Sequence, residues 1–242
     1  MPRSQAVMLP TNVNPSRYTL ALEPNMEAGS FLGHETIEVD VLASTSSITM
    51  NASELQISSC RILPAAGDAL AASSIDTDEK AETATFTFPS EVPEGPARLE
   101  IEFVGVLNDQ LRGFYRSHYT DIHGNERQLA TTQFEATDAR RAFPCWDEPS
   151  MKATFALTLV VDSELAAISN MPIAEETAEP DGRKRLRFDE TPIMSTYLLA
   201  FIIGDLKCVE QKADDGTLIR IWATAGKEEQ GRFALETAIR LL

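Results

Sequence analysis

Histidine and cysteine are scarce in this chain, and their scarcity excludes much of the chemistry open to a protein of this length. The 242 residues include three of each. Cys60, Cys145 and Cys208 lie far apart and form no Cys-x-x-Cys pair, so they indicate neither a disulfide framework nor a thiolate zinc site. An odd number of separated cysteines is typical of a reducing compartment, and we therefore expect a cytoplasmic protein.

Long apolar runs are also missing. The longest spans residues 197–204 (YLLAFIIG), which is the length of a β-strand and far below the roughly 18–20 residues of a membrane-spanning helix. The first residues contain no apolar stretch of signal-peptide length. The sequence therefore predicts neither a membrane span nor a secretion signal.

Acidic residues outnumber basic residues in the sequence. The chain has 21 lysines and arginines against 37 aspartates and glutamates, which gives a net charge of −16. Such an acidic surface repels phosphate groups, so neither nucleic acid nor an anionic membrane is an expected partner. The hydrophobic share of 43% and the charged share of 24% are ordinary for globular proteins and exclude a disordered chain, a collagen and a coiled coil. The length allows one large domain, or one domain plus a fragment.

Alternation of apolar and polar residues predicts a mainly β fold. Strands are expected at residues 16–23, 36–42, 83–88, 97–104, 153–161 and 218–222. In the second of these, Ile37, Val39 and Val41 would share one face. One apolar face is typical of antiparallel sheets, and the Asp-Gly pairs at 181–182 and 215–216 predict hairpins. The expected fold class is an antiparallel, multi-sheet, sandwich-like domain with a short C-terminal helix.

The helix is predicted by a stripe near the end of the sequence. Leu235, Ala238, Ile239 and Leu242 recur at the spacing of one helical face. A helix that follows a β domain either folds back on that domain or opens another domain. We expect the second arrangement, with residues 1–223 as the β domain and residues 224–242 as the opening helix of a truncated domain.

Residues 129–153 (LATTQFEATDARRAFPCWDEPSMKA) are the most informative segment. Gln133 and Glu135 are two residues apart, so an extended chain points both side chains to the same side. They would present an amide and a carboxylate together. From the residues alone, an ordinary exposed carboxylate on a strand is the preferred interpretation of Glu135.

Two charged pairs flank an apolar stretch in the same segment. Arg140 and Arg141 precede Asp147 and Glu148. We interpret these four as ion pairs that close a loop over a small aromatic cluster, because structural ion pairs are common. Cys145 lies between them in an apolar setting, which favours a buried structural thiol over a nucleophile.

Residues 131–155 (TTQFEATDARRAFPCWDEPSMKATF) resemble the N-terminal domain of the M1-family zinc aminopeptidases, the group of aminopeptidase N and puromycin-sensitive aminopeptidase. Other segments agree in order: 15–22 (PSRYTLAL), 113–119 (GFYRSHY), 169–172 (SNMP), 195–205 (STYLLAFIIGD) and 224–235 (TAGKEEQGRFAL). The resemblance covers essentially the whole chain. It implies a saddle-shaped β domain that forms one wall of an active site, in an enzyme that removes single residues from peptide N-termini.

The resemblance also implies roles for two residues. By matching position, Glu135 would bind the free α-amine of the peptide, and Gln133 would line the first specificity pocket. A protonated amine needs a carboxylate acceptor, and a charge-assisted hydrogen bond defines where the peptide begins. That contact would turn a general peptidase into one that acts from the N-terminus.

The hydrolytic machinery of that family is absent from the sequence. The family holds zinc with a His-Glu-x-x-His helix and a later glutamate, and neither this motif nor the family's Gly-Ala-Met-Glu-Asn segment occurs. Residues 34–38 (HETIE) begin like the motif, but Glu38 stands where the second histidine belongs, in a strand-like segment. We interpret His118 and His123 as loop residues. The zinc ligands and catalytic residues of the parent enzyme are therefore expected outside this chain, with no metal bound here.

Two classes of function remain open. In the first, the chain is part of a zinc aminopeptidase, reaches peptide substrates through the parent enzyme, needs a missing catalytic domain and is inactive alone. In the second, it is a stand-alone β module that binds peptides or protein partners without catalysis. A lectin-like sandwich domain is a third, and it requires the motif string to arise by chance.

Overall fold

Period-two alternation places one face of each long strand in the interior of the β domain. The computed structural model describes residues 8–242, and its strands are numbered here in chain order. They are β1 (Val13–Asn25), β2 (Ser30–Val41), β3 (Thr45–Asn51), β4 (Leu55–Pro64), β5 (Leu70–Ala71), β6 (Ser74–Asp78), β7 (Thr83–Val92), β8 (Gly95–Val106), β9 (Gly113–Thr120), β10 (Glu126–Gln133), β11 (Thr154–Asp162), β12 (Ala166–Ser169), β13 (Ile173–Ala178), β14 (Arg183–Phe188), β15 (Phe201–Gly204), β16 (Leu206–Lys212) and β17 (Leu218–Thr224). Short 3₁₀ turns occupy Ala139–Arg141, Thr196–Leu198 and Glu228–Gly231, and the helix α1 spans Arg232–Leu241.

The strands form four sheets. The largest has eight strands in the order β13-β14-β11-β1-β2-β8-β4-β5. The others are β12-β15-β10-β9, β3-β7-β6 and the hairpin β16-β17. The paired strands of residues 8–242 run antiparallel, as the sequence predicted, apart from β1 and β11, which run parallel. A parallel pair needs a long crossover connection, and strands β2 to β10 supply it.

One hydrophobic core joins residues of the eight-, four- and three-stranded sheets. On β2, Ile37, Val39 and Val41 are buried, as predicted, and the residues between them face outward. The same core takes in side chains from the smaller sheets, such as Phe86 on β7 and Ile203 on β15. The predicted fold class, a mainly β multi-sheet domain with a short C-terminal helix, is confirmed.

The predicted hairpins and helix are present, and the longest apolar run forms a strand only in part. Both Asp-Gly turns join antiparallel neighbours, β13 to β14 and β16 to β17. Residues 197–204 are only half strand, because a 3₁₀ turn occupies Thr196–Leu198. Within residues 8–242, no helix combines the length and the apolar character that crossing a bilayer requires.

Helix α1 packs on the β16-β17 hairpin. Leu235 is buried there, and Ala238 and Ile239 are half-buried. Leu242, the last residue of the predicted stripe, is exposed. The helix thus packs on strands of the same chain. The division of the chain at residue 223 stays a prediction.

Two glycines in the largest sheet each make room for a phenylalanine on the neighbouring strand. Phe31 on β2 lies opposite Gly105 on β8, and Phe103 on β8 lies opposite Gly33 on β2. A β-carbon placed on Gly105 would lie 2.0 Å from the Phe31 ring, and one on Gly33 would lie 2.2 Å from the Phe103 ring. Both rings are buried, so neither can move into solvent. The close approach explains why glycine occupies these strand positions.

We expect Gly105→Ala to lower the free energy of unfolding by about 1–3 kcal/mol, which is the usual range for overpacking a core. Urea denaturation followed by circular dichroism measures it. The double variant Gly105→Ala/Phe31→Leu is the control, because the smaller side chain opens the space that the methyl group needs. If Gly105→Ala costs the same in the Phe31→Leu background, the ring contact is not the cause.

Candidate functional site

The end of β10 is held in place on both sides of Gln133. The backbone pairing of β10 with β15 stops at Thr131, and the Thr132 hydroxyl oxygen then accepts a hydrogen bond from the Phe201 N–H at 3.1 Å. Phe134 is buried and lies edge-on to two other rings, with centroids 6.1 Å from Phe143 and 6.2 Å from Phe201. The backbone that carries the side chains of Gln133 and Glu135 is therefore anchored in the core.

Gln133 and Glu135 line one groove, as their spacing predicted. The groove has a volume of about 200 Å³. Its lining residues are Thr132, Gln133, Phe134, Glu135, Tyr197, Leu198, Leu199 and Ala200. Both predicted side chains are exposed, and the Gln133 amide donates to the backbone oxygen of Glu135 at 3.4 Å. Within residues 8–242, the Glu135 carboxylate has no ion-pair or hydrogen-bond partner, so it is free to accept hydrogen bonds from a ligand.

The opposite wall of the groove is held by Asn170, a residue that sequence reasoning did not single out. Its amide nitrogen donates to the Leu198 carbonyl at 2.9 Å, and its amide oxygen accepts from the Ala200 N–H at 2.8 Å. The neighbouring Ser169 hydroxyl donates to the Ala200 carbonyl at 2.9 Å. Through these contacts, Ser169 and Asn170 hold the backbone of Leu198 and Ala200 in place.

A tight turn follows Glu135 and is closed by Arg141. The Asp138 N–H donates to the Phe134 carbonyl at 2.9 Å. The Arg141 guanidinium contacts three carboxylates, at 2.8 Å from Asp138, 2.6 Å from Glu54 and 2.5 Å from Glu82. Its side chain is 8% exposed. Arg141 thus joins the turn to two distant parts of the chain.

The predicted ion pairs of this segment are correct in part. Arg140 contacts Asp147 at 3.0 Å, as expected. Burial raises the pKa of Asp147, and the Arg140 guanidinium opposes part of that shift. Glu148 does not pair with an arginine within the described part of the chain and instead accepts from the Leu9 N–H at 2.9 Å. Arg141 pairs with Asp138 within the segment and with Glu54 and Glu82 from distant parts of the sequence.

Residues 143–146 (FPCW) belong to the core. Cys145 forms a backbone bridge with Asn51, with hydrogen bonds of 2.8 and 3.0 Å. The Tyr18 ring stacks on Phe155 with centroids 4.9 Å apart, and its hydroxyl oxygen accepts from the Trp146 N–H at 3.2 Å. Cys145 is fully buried, and this burial raises the pKa of its thiol. The prediction of a structural thiol is confirmed.

The three histidines do not form a cluster. His34 lies on β2, His118 on β9 and His123 in the turn that follows β9, and all three are exposed. His118 therefore stands on a strand, and its prediction as a loop residue was wrong. Its neighbours in the segment look turn-like, but pairing of β9 with β10 keeps it extended. Among residues 8–242, no three histidine, cysteine, aspartate or glutamate side chains are close enough to hold a metal ion.

A buried carboxyl group, Glu35, lies in the core away from the groove. It is fully buried on β2, and neither carboxyl oxygen has a hydrogen-bond partner within residues 8–242. Burial raises its pKa well above the ordinary value of a glutamate. It also helps to raise the pKa of the Cys60 thiol to about 12, where burial is the larger cause. The alternation of β2 contains the signal, because Glu35 is in phase with the buried residues Phe31 and Ile37.

A larger cleft of about 570 Å³ opens elsewhere, beside Arg141. Its lining includes Glu54, Asp78, Glu79 and Glu82. Arg141 already pairs with two of these carboxylates. The groove at Glu135, whose carboxylate has no partner among residues 8–242, is therefore the better candidate for ligand binding.

Known proteins resemble the chain over nearly its whole length. The family model described as "Peptidase M1 N-terminal domain" matches residues 14–198. A protein of Caenorhabditis elegans named "Puromycin-sensitive aminopeptidase" is 40% identical over 235 residues, covering 97% of this chain and 25% of its own length. Two proteins of Saccharomyces cerevisiae also match over 240 residues. "Alanine/arginine aminopeptidase" is 45% identical, and the match covers 97% of this chain and 27% of that protein. "Aminopeptidase 2, mitochondrial" is 42% identical, and the match covers 97% of this chain and 24% of that protein. The chain thus spans about a quarter of these relatives.

Proposed function

The chain belongs to the peptidase M1 family, as its N-terminal domain, and on this premise we propose that it recognises the free amino end of a peptide for an aminopeptidase. Glu135 accepts hydrogen bonds from the α-ammonium group, and Gln133 lines the pocket for the first side chain. The observation that carries the proposal is the exposed Glu135 carboxylate, which has no partner within residues 8–242 and lines a groove beside Gln133.

The chemistry of the contact explains the selectivity. An ammonium group on a carboxylate forms a charge-assisted hydrogen bond, roughly twice as strong as a neutral one. A peptide with an acylated N-terminus lacks this charge and cannot make the contact. Phe134 anchors the backbone next to Glu135, because its ring is packed between Phe143 and Phe201. A rigid support of this kind limits the loss of entropy on binding.

Hydrolysis belongs, in this proposal, to the rest of a longer zinc-dependent enzyme. The residues described here do not fit a zinc site, because their histidines stand on exposed positions of separate elements. No step of the reaction is therefore assigned to a metal held by this chain. We propose that the chain alone has no peptidase activity and acts together with a catalytic domain.

The proposed division of the chain places residues 224–242 at the start of that catalytic domain. Phe233, Leu241 and Leu242 support it, because they are 81%, 82% and 73% exposed and leave apolar surface for a further domain to cover. One observation favours the second candidate, a stand-alone binding module: Leu235 is already buried on the hairpin of this chain. A cytoplasmic location stays a prediction, and one relative carries the word mitochondrial in its name.

We expect Glu135→Ala, in the aminopeptidase that contains this chain, to weaken recognition of peptides with a free N-terminus. Loss of one hydrogen bond to a charged group costs about 1.5–3 kcal/mol, which is roughly a 10–150-fold loss of kcat/KM. Steady-state kinetics with a peptide substrate measure it. Glu135→Gln should lose most of the same factor, because it keeps the shape and removes the charge.

The matched control is Glu94→Ala, which removes an exposed glutamate from the turn between β7 and β8. It should leave kcat/KM unchanged. Wild-type kinetics in both Glu135 variants would remove Glu135 from the binding site.

A further inference from the structure

We propose that Leu198, with Tyr197, forms an apolar wall that makes the groove select peptides whose first side chain is apolar, and that Asn170 positions this wall. The inference rests on the proposed role of Glu135 and adds the identity of the side chain that the groove accepts. It assigns a role to the 3₁₀ turn Thr196–Leu198, which lies within the family-like segment 195–205.

Leu198 is an exposed apolar residue in the same groove as the Glu135 carboxylate. It is 47% exposed, whereas the next residue, Leu199, is buried. Leu198, Tyr197 and Glu135 line the same groove. A ligand that fits both features carries a positive charge next to an aliphatic or aromatic group. The amino end of a peptide has this chemistry, because its α-ammonium and its first side chain leave the same carbon atom.

The charges of the groove favour an apolar first side chain over a charged one. Glu135 is the one ionised side chain among the eight residues that line the groove. An acidic first side chain would meet this carboxylate and be repelled. A basic one would find no second carboxylate, because the first is used by the α-ammonium group. An apolar side chain loses water against Leu198 and meets no unpaired charge.

The size of the groove limits the ligand to its first residue. Pockets for drug-sized ligands usually span roughly 300–1,000 Å³, and this groove has about 200 Å³. A groove of this volume suits contact with a single residue of the peptide. The contact therefore reports on the terminal residue.

Asn170 is assigned as the positioning residue for this wall. It does not line the groove, but its amide group bridges the carbonyl of Leu198 and the N–H of Ala200. On the other side of the turn, the Thr196 hydroxyl donates to the Trp146 carbonyl at 3.1 Å. Without the Asn170 side chain, the Leu198 carbonyl and the Ala200 N–H each lose a hydrogen bond. The side chain would then no longer be held against the groove.

The test uses the 242-residue chain and amino-acid amides as probes. Binding of leucinamide, glycinamide and N-acetyl-leucinamide is followed by NMR, from the methyl groups of Leu198 and the backbone signals of Gln133 and Glu135. We expect leucinamide to shift both sets and to bind about tenfold more tightly than glycinamide, the factor for partial burial of a leucine side chain. N-acetyl-leucinamide, which has no positive charge, should shift neither set.

Three variants separate the roles. Leu198→Ala should reduce the leucinamide-to-glycinamide affinity ratio to near one, and Asn170→Ala should do the same without altering any groove-lining side chain. Asn170→Asp should restore part of the ratio, because it keeps the acceptor for the Ala200 N–H. Ile193→Ala is the matched control, since Ile193 is a 70% exposed apolar residue outside the groove lining, and it should leave the ratio unchanged.

The outcomes distinguish this inference from the proposed function. If Glu135→Ala abolishes binding of both amides but Leu198→Ala leaves their ratio unchanged, the apolar wall is wrong and the role of Glu135 stands. A wild-type ratio in Asn170→Ala would overturn the positioning role. If no amide shifts the signals of Gln133 and Glu135 at concentrations of tens of millimolar, both the inference and the amine contact are wrong.

Discussion

Arg141→Ala is expected to lower the free energy of unfolding by about 3 kcal/mol. Removing one partner of a buried ion pair typically costs about 3–5 kcal/mol, because the remaining charges lose their compensation. Arg141 is 8% exposed, but its partners Asp138, Glu82 and Glu54 are 23%, 29% and 43% exposed. These carboxylates regain water when the arginine is lost, so we expect the lower end of that range.

Arg141→Lys should recover only a small part of this loss. The guanidinium group uses three nitrogens to reach three carboxylates and also donates to the Ser53 hydroxyl at 2.9 Å. A lysine carries the charge at one point and cannot repeat this geometry. We also expect faster amide exchange at Asp138 in both variants, because the turn after Glu135 loses a support.

Urea denaturation at neutral pH measures the loss of stability. The control is Arg187→Ala, which removes an exposed pair between Arg187 and Glu175, with side chains 54% and 57% exposed. Exposed pairs contribute about 0.2–1 kcal/mol. If Arg141→Ala costs no more than Arg187→Ala, the buried cluster does not stabilise the fold.

Glu35→Gln is expected to stabilise the protein, by an amount that grows as the pH rises above about 4.3, the pKa of an unfolded glutamate. The pKa of Glu35 is raised well above its ordinary value by burial, whereas an unfolded glutamate has a pKa of about 4.3. Above that pH the unfolded chain has released its proton and the folded chain still holds it. The free energy of unfolding therefore falls with rising pH, by about 1.4 kcal/mol per unit until the pH reaches the raised pKa.

Glutamine keeps the shape of the side chain and does not ionise, so the variant lacks this decline. Other carboxylates affect the free energy of unfolding in a different pH range. Hydrogen bonding lowers the pKa of Asp121 and Asp215, through the Asn125 and Thr217 N–H groups in first place. Their stabilisation is present above about pH 4, the ordinary pKa of aspartate, and is lost as the pH falls below it. It does not overlap the range in which Glu35 acts.

Thermal and urea denaturation of both proteins at several pH values measure this effect. Glu164→Gln, which changes an exposed glutamate in the turn before β12, is the control and should show no pH-dependent difference. A Glu35→Gln difference that stays constant between about pH 5 and 8 would mean that Glu35 ionises in the folded protein at its ordinary pKa.

Local patterns predicted the parts of the fold that depend on neighbouring residues. Alternation located β1, β2, β7, β8, β11 and β17, because a half-buried strand must alternate. Strand β13 carries no such signal, since all six of its residues are exposed at the edge of the largest sheet. The parallel pairing of β1 with β11 has no local signal either, because it joins residues such as Arg17 and Thr154 that are far apart in sequence.

The candidate site also combines features that the local sequence predicted with features that it did not. The two-residue spacing of Gln133 and Glu135 sufficed to predict that both side chains lie on the same side of the chain, and both line one groove. The motif string sufficed to identify the peptidase M1 family, because its segments occur in a specific order. The residue types around Arg140 indicated ion pairs, and one of them, with Asp147, formed as expected.

By itself, the sequence determined the β class, the family and the segment that carries the candidate site, because these depend on period, order and residue type along the chain. Only the tertiary structure decided which groups meet. It brought Leu198 and Asn170 to the groove at Glu135, gave Arg141 its partners from residues 54 and 82, and enclosed Glu35 without a partner among residues 8–242. The physical reason is that pairing between distant strands is set by burial of a shared core, and no short window of sequence contains both sides of such a contact.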